Sequence, residues 1–227
     1  MTTMTEVDVR CALCGALARK AVLSSTSSFG PPDLDLRPQG PARWALEFEV
    51  QRCDACGYCA ESIGQAPVGA RETVDSTVYR EVLERSRLPR LARDLFCSAL
   101  VTEGAGEPEQ AGWRFLQAAW ACDDRNAVAQ AATCRARSAE MFARALETGE
   151  VGAPEPVVLT LSADVWRRAG RFDEAIAAAD EAERILAEEE GDENVPGAAA
   201  VAAFIRGLAE EGDDGLHNAA EVFADEN

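Results

Sequence analysis

Cys11-Ala12-Leu13-Cys14-Gly15 and Cys53-Asp54-Ala55-Cys56-Gly57 are two copies of one motif, CxxCG, near the start of a 227-residue chain. A Cys-x-x-Cys turn can aim two thiolates at one ion, and the glycine suits a tight turn with positive φ. Two such turns make a closed tetrahedral site of four sulfurs, which structural zinc prefers. The sequence therefore predicts one structural Zn²⁺ ion, with Cys11, Cys14, Cys53 and Cys56 as its ligands. Iron, and disulfide or redox chemistry, are the alternatives.

A fifth cysteine, Cys59, follows the second motif, so that Cys56-Gly57-Tyr58-Cys59 is itself a CxxC sequence. Oxidoreductase motifs of this form work at a helix start beside a βαβ unit, where the helix dipole lowers the thiol pKa. The surrounding sequence shows no βαβ pattern. We therefore interpret Cys59 as a spare thiol beside the metal ligands. The alternatives are a substitute fourth ligand and a redox thiol.

The residues around the motifs predict short strands. Residues 7–23 are expected to form a strand, the first cysteine turn and a second strand, and residues 44–50 alternate between apolar and polar side chains. Strands that end in cysteine turns are typical of a zinc ribbon, which we place in residues 1–65. Between them, Asp33-Leu34-Asp35-Leu36-Arg37-Pro38 lies in a loop. Its charges are expected either to bind a ligand or to pair with each other and with backbone amides.

From about Arg71 the apolar period becomes helical, and Pro89 is expected to end the first helix. Gly- or Asp-containing turns then separate paired helices. The predicted pairs are 109–123 with 126–148, 155–169 with 172–190, and 196–211 with 214–224. In the second pair, Ala175, Ala179 and Ala182 share one helix face. The predicted fold is mainly α, with tetratricopeptide-like (TPR-like) helix hairpins over residues 66–227 after the small β ribbon.

Composition limits the function. The formal net charge is −18, and residues 171–227 carry 17 acidic against 3 basic residues. Such acidity disfavours binding to nucleic acid or to an anionic membrane and favours, if anything, a basic partner. The sequence shows neither an export signal nor an apolar run long enough to span a membrane. We therefore expect a cytoplasmic protein.

The remaining titratable candidates have structural interpretations. Cys97, Cys122 and Cys134 lie in predicted helices among apolar residues, where buried packing is expected. His217 is the only histidine and is expected at the surface. A single histidine argues against Ser-His or Cys-His catalysis.

The chain resembles an uncharacterised, mainly bacterial family, the domain of unknown function 2225 family, over roughly residues 7–190. The matching motifs are the two CxxCG units, Phe29-Gly30 with Asp33-Leu34-Asp35 and Arg37-Pro38, Ala118-Ala119-Trp120, and Trp166-Arg167-Arg168-Ala169-Gly170-Arg171-Phe172. The resemblance implies a zinc-ribbon-like N-terminus with the same four cysteine ligands, TPR-like helices and no established activity. The chain departs from the family in having Ala12 and Asp54 where proline is frequent, and Cys59 where a small residue is usual.

These features together predict a zinc-stabilised scaffold that binds an unknown protein or peptide partner and has no catalytic activity. One alternative is a thiol-based redox or metal sensor that uses Cys56 and Cys59. The other is small-ligand binding or enzymatic activity at the Asp33–Arg37 loop.

Overall fold

The computed structural model describes residues 2–188 and 195–226. It is mainly α-helical with a small β region at the N-terminus, which confirms the predicted fold class. The strands are β1 (Thr3–Arg10), β2 (Leu17–Ser25), β3 (Gln51–Arg52) and β4 (Cys59–Ala60). The α-helices are α1 (Ala70–Asp75), α2 (Thr77–Arg85), α3 (Arg90–Gly104), α4 (Pro108–Asp123), α5 (Val128–Thr148), α6 (Glu155–Arg168), α7 (Phe172–Glu188) and α8 (Val195–Glu210). Two 3₁₀ helices cover Gly40–Phe48 and Glu221–Glu226.

The β region consists of two antiparallel hairpins, β1 with β2 and β3 with β4, and each hairpin carries one cysteine motif in its turn. The first hairpin is largely exposed along both strands, and the second has only two residues in each strand. Two-stranded hairpins of this kind are marginally stable on their own. The β region therefore depends on contacts outside its own hydrogen-bonded ladders.

The strand predicted over residues 44–50 is wrong, because residues Gly40–Phe48 form a 3₁₀ helix and only Gln51–Arg52 is a strand. Pro41 lies in the first turn of this helix, where its fixed φ favours helical backbone. Ala45 and Leu46 are consequently the buried residues, while Trp44 is 69 % exposed. The alternation of apolar and polar residues over this short segment resembles that of a strand, although the segment is helical.

The first two predicted helix pairs are confirmed as α4 with α5 and α6 with α7. Close packing depends on small residues: a Cβ on Gly112 would lie 2.9 Å from the Phe142 ring. In the second pair Ala175, Ala179 and Ala182 are buried, as their spacing predicts. The last two residues of the predicted 172–190 helix lie outside the described residues.

The third pair is half correct. Helix α8 is present, but the partner predicted over residues 214–224 is not an α-helix, and only its end lies in the 3₁₀ helix Glu221–Glu226. Instead, this segment returns to the N-terminal loop: the backbone N–H of Leu34 donates to the His217 carbonyl at 3.0 Å, and Ala219 donates to Pro32 at 2.9 Å. Pairing with a segment this distant in sequence outcompetes the local helical pattern.

His217 is only partly exposed, which differs from the expected surface position. Its Nδ1 lies 2.6 Å from Glu221 and its Nε2 lies 3.1 Å from Asp213. Burial works against the charged imidazolium, but hydrogen bonds to these carboxylates outweigh it and raise the pKa of His217 above 6.5. The protonated ring thus ties both carboxylates to the segment that reaches Leu34.

Replacing His217 with glutamine is expected to flatten the pH dependence of stability in the neutral range. Since the folded-state pKa is raised, the stabilising contribution is complete below about pH 6.5 and is lost as the pH rises through the folded-state pKa. The loss is at most about 1 kcal/mol, as for other partly exposed ion pairs. Urea midpoints at about pH 6 and about pH 8.5 measure it. An equal decline in both proteins would contradict this role for His217.

Candidate metal centre

The four predicted cysteine ligands converge in space. The Sγ atoms of Cys11, Cys14, Cys53 and Cys56 all lie within 4.8 Å of one another. The Sγ atoms of Cys11 and Cys56 are 3.8 Å apart, and those of Cys14 and Cys53 are 3.5 Å apart. Zinc–sulfur bonds of about 2.3 Å in a tetrahedron require sulfur–sulfur distances of about 3.8 Å. The cluster therefore has the dimensions of a four-sulfur metal site.

The two cysteine turns repeat the same backbone hydrogen bonds. Gly15 donates to the Cys11 carbonyl at 2.9 Å, and Gly57 donates to the Cys53 carbonyl at 2.8 Å. Both glycines have positive φ, 76° and 79°, as the motif predicts. At Gly57 an added Cβ would also lie 2.5 Å from Leu83. Glycine is thus required at this position both by the turn and by the helix packed against it.

The electrostatics of the cluster favour a bound cation. Burial raises the pKa of Cys53, but backbone N–H groups that point at its sulfur and the neighbouring thiols outweigh this effect and lower the pKa to about 7. Burial and the adjacent thiols raise the pKa of Cys56 to about 12. A first thiolate forms readily, whereas further thiolates repel it. A divalent cation removes that repulsion, because metal binding and thiol deprotonation are coupled.

Helices α1 and α2 hold both cysteine turns by their carbonyl groups. Arg71 donates to the Leu13 carbonyl, and Arg80 donates to the Cys56 carbonyl at 3.3 Å. The Tyr79 hydroxyl donates to the Gly57 carbonyl at 2.9 Å and accepts the backbone N–H of Cys59 at 3.0 Å. Sequence reasoning missed these anchors. The only indication of these hydrogen bonds in the sequence is Tyr79, a tyrosine among the aliphatic residues of a short amphipathic helix.

Cys59 lies outside the four-sulfur cluster. Its side chain is fully buried, and its thiol donates to the Gly57 carbonyl at 3.4 Å. The neighbouring thiol of Cys97 and burial raise the pKa of Cys59. A protonated, buried thiol is a poor nucleophile and a poor metal ligand. Cys97, Cys122 and Cys134 are buried as expected, and all eight cysteines are free thiols.

A Cys59→Ser variant is expected to bind as much metal as the parent protein. The hydroxyl still reaches toward Gly57, so the expected cost is a loss of stability of about 1 kcal/mol. Elemental analysis of both proteins, together with a Cys14→Ser variant as a ligand control, measures the difference. Loss of metal from the Cys59 variant alone would show that Cys59 is a ligand.

The Asp33–Arg37 loop does not present its charges to solvent. Asp35 is fully buried, and its Oδ2 accepts hydrogen bonds from Trp120 Nε1 at 2.8 Å and Arg168 Nη1 at 2.9 Å. Arg37 is 2 % exposed and donates through Nη2 to both carboxylate oxygens of Asp124, at 2.7 and 2.9 Å. These pairs fasten the loop to α4 and α6.

The same network extends on both sides of the loop. Asp33 accepts a hydrogen bond from Arg43 Nη1 at 2.7 Å, and Arg135 lies 3.6 Å from Asp35. Arg135 and Arg168 also meet at Asp123. Each carboxylate in this network is thus compensated by an arginine. This pairing matches the structural interpretation of the loop more closely than the ligand-binding one.

No protein-family model, curated protein or solved structure matches this chain. None of the described helices is long and apolar enough to cross a membrane. The fold and the site together define a mainly helical protein whose N-terminal β hairpins bring four free cysteines to metal-binding distance.

Proposed function

We propose that this chain is a non-enzymatic scaffold in which one structural zinc ion organises a zinc-ribbon-like module and TPR-like helix pairs receive a protein or peptide partner. The observation that carries the proposal is the closed set of four thiols. Four protein ligands complete a tetrahedral zinc site, which leaves no position for a water molecule or a substrate. Such a metal contributes to folding, whereas catalytic zinc keeps one position open.

The packing of the cysteine turns supports a structural role. Cys11 and Cys53 are buried in one apolar cluster with Val74, Tyr79 and Leu83 of the first helices. Metal binding would therefore fix the β region and the start of the helical region together. The helix pairs α4–α5 and α6–α7, joined by short turns, support the TPR-like part of the proposal. The motif resemblance to the domain of unknown function 2225 family points the same way.

The thiol-sensor alternative has less support. It requires a reactive thiolate at Cys59, whose side chain is buried beside Cys97 and whose pKa is raised. The small-ligand alternative requires free charges at the Asp33–Arg37 loop, where the carboxylates are already paired. The scaffold proposal needs neither.

Two measurements test the proposal. Elemental analysis of the purified protein is expected to give one zinc per chain, and a cobalt-substituted sample should show the charge-transfer absorption of a four-thiolate site. Affinity purification from native lysate with the zinc-loaded chain should then recover a specific partner. Iron in place of zinc, or a cobalt spectrum with an oxygen ligand, would contradict the structural zinc. Failure to recover any partner would contradict the scaffold role.

A further inference from the structure

A cleft of about 1440 Å³ separates the N-terminal β hairpin from the ends of helices α3 and α4. The 3₁₀ helix that replaced the predicted strand forms one of its walls. Ordinary small-molecule pockets measure about 300–1000 Å³. The cleft is therefore larger than a single metabolite needs and suits a short segment of extended polypeptide.

The floor of the cleft is apolar. Leu46 and Ala121 belong to the main hydrophobic core, and the partly buried Val50 and Leu91 pack against that core. Trp44 stands on the wall with 69 % of its surface exposed. An exposed tryptophan above an aliphatic floor provides contacts for apolar side chains of a ligand, as at protein interfaces.

The charge of the cleft differs from that of the protein. In a chain of net charge −18, five basic and four acidic side chains line it. Two of the acids are neutralised: Asp94 lies 3.4 Å from Arg52, and Asp124 is held by Arg37. Two of the bases are paired as well: Arg43 lies 2.7 Å from Asp33, and Lys20 lies 3.9 Å from Asp54. Arg125 is exposed and has no ion pair in the part of the chain that the structure describes. The exposed acids Glu47 and Asp54 lie at the cleft too, so its excess of positive charge is small and local.

A side pocket of about 170 Å³ adjoins the cleft and shares Arg43 and Leu46 with it. Arg37, which lines this pocket, is 2 % exposed, and its Nε–H has no acceptor among the described residues. The Nε–H of Arg52 in the main cleft also lacks one. Both nitrogens are fully buried, and both guanidinium groups are engaged in ion pairs, so a ligand in the cleft does not reach them.

We propose that the cleft binds an extended peptide segment with apolar and acidic residues, whose carboxylates face the exposed Arg90 and Arg125. Apolar side chains contact the floor and Trp44, and carboxylate oxygens accept hydrogen bonds from the two exposed guanidinium groups. The proposal deepens the scaffold function, on which it rests, by naming a partner class. This occupant is opposite in charge to the basic partner expected from the net charge, because the acidity is concentrated in residues 171–227.

The test uses the zinc-loaded chain and a fluorescein-labelled peptide of about ten residues built from leucine, glutamate and serine. Fluorescence anisotropy at about 0.15 M salt, where long-range repulsion is screened, gives the dissociation constant. Arg125→Glu is expected to weaken binding about tenfold, because it reverses an unpaired charge in the cleft. Arg144→Glu is the matched control: Arg144 is also exposed and lies outside the cleft, so less than about a twofold effect is expected.

Two further arms identify the ligand chemistry. The same peptide with lysine for each glutamate is expected to bind at least about tenfold more weakly. A single-stranded DNA oligonucleotide is expected not to displace the acidic peptide. Equal or tighter binding of the lysine peptide, displacement by DNA, or equal effects of Arg125→Glu and Arg144→Glu would each overturn the proposal.

Metal content and far-UV circular dichroism of the same samples separate this proposal from the preceding one. Folded, zinc-loaded protein that does not bind the peptide overturns the cleft proposal alone. Folded protein without metal that binds the peptide as expected overturns the structural zinc and supports the cleft.

Discussion

A Cys53→Ser variant is expected to lose its metal and to unfold the N-terminal β region. Structural zinc contributes binding free energy of roughly 10–16 kcal/mol in small metal-stabilised domains, where it is also folding free energy. The two β hairpins are either exposed or very short, so we expect the proposed metal and the contacts with α1 and α2 to hold them. A serine hydroxyl is too weak a zinc ligand to replace the thiolate.

The effect should extend beyond the hairpins. Cys53 is 1 % exposed and packs in the same apolar cluster as Val74 and Tyr79. Loss of the metal is therefore expected to loosen α1 and α2, while α4–α7, whose buried residues belong to other apolar clusters, stay folded. Hydrogen exchange followed by mass spectrometry measures this regional difference.

Cys134→Ala is the matched control for Cys53→Ser, since it removes a buried thiol outside the cluster. It should retain one metal per chain and lose about 1 kcal/mol of stability. A Cys53→Ser variant with full metal content and unchanged exchange in residues 3–60 would contradict the proposed site.

An Asp35→Asn variant is expected to lose about 3–5 kcal/mol of unfolding free energy, the usual cost of breaking a buried ion pair. Asp35 is fully buried and takes hydrogen bonds from Trp120 and Arg168. The amide removes the negative charge but keeps the volume. The buried Arg135 and the partly buried Arg168 would then be left with less compensating charge, and the loop would be free to detach from α4.

Urea denaturation of the metal-loaded protein measures the loss. Glu140→Gln is the control, because it removes a carboxylate from an exposed pair with Arg137 and should cost below about 1 kcal/mol. If Asp35→Asn destabilised the protein no more than Glu140→Gln does, the network would not be what fastens the loop.

The cysteine site could be predicted because its signal is local. Two ligands lie in each turn, and Gly15 and Gly57 mark the positive φ that the turn requires. The helix pairs could be predicted for a related reason, since the spacing of Ala175, Ala179 and Ala182 reports which face is buried. In both cases neighbouring residues determine the geometry.

Most of the wrong predictions concern segments whose structure depends on contacts with residues that are distant in sequence. Nothing near residues 214–224 indicates that His217 will pair with Leu34, and the helical pattern there is misleading. Likewise, Arg37 and Asp124 lie far apart in sequence, and the residues around each of them do not indicate that the two form an ion pair. The strand predicted over residues 44–50 failed for a local reason, because Pro41 in the first turn of the 3₁₀ helix outweighs a short alternating pattern.

The contact between Leu34 and His217 has a consequence for the timing of folding during synthesis. A ribosome releases the N-terminal part of a chain first, so both cysteine motifs emerge before the helices do. The loop between them becomes ordered later, because Asp35 meets Arg168 only after α6 has emerged, and Leu34 meets its partner only after the segment around His217 has emerged. A message truncated shortly before the codon for His217 would therefore yield a protein that has both cysteine motifs but leaves the loop unfastened at one end.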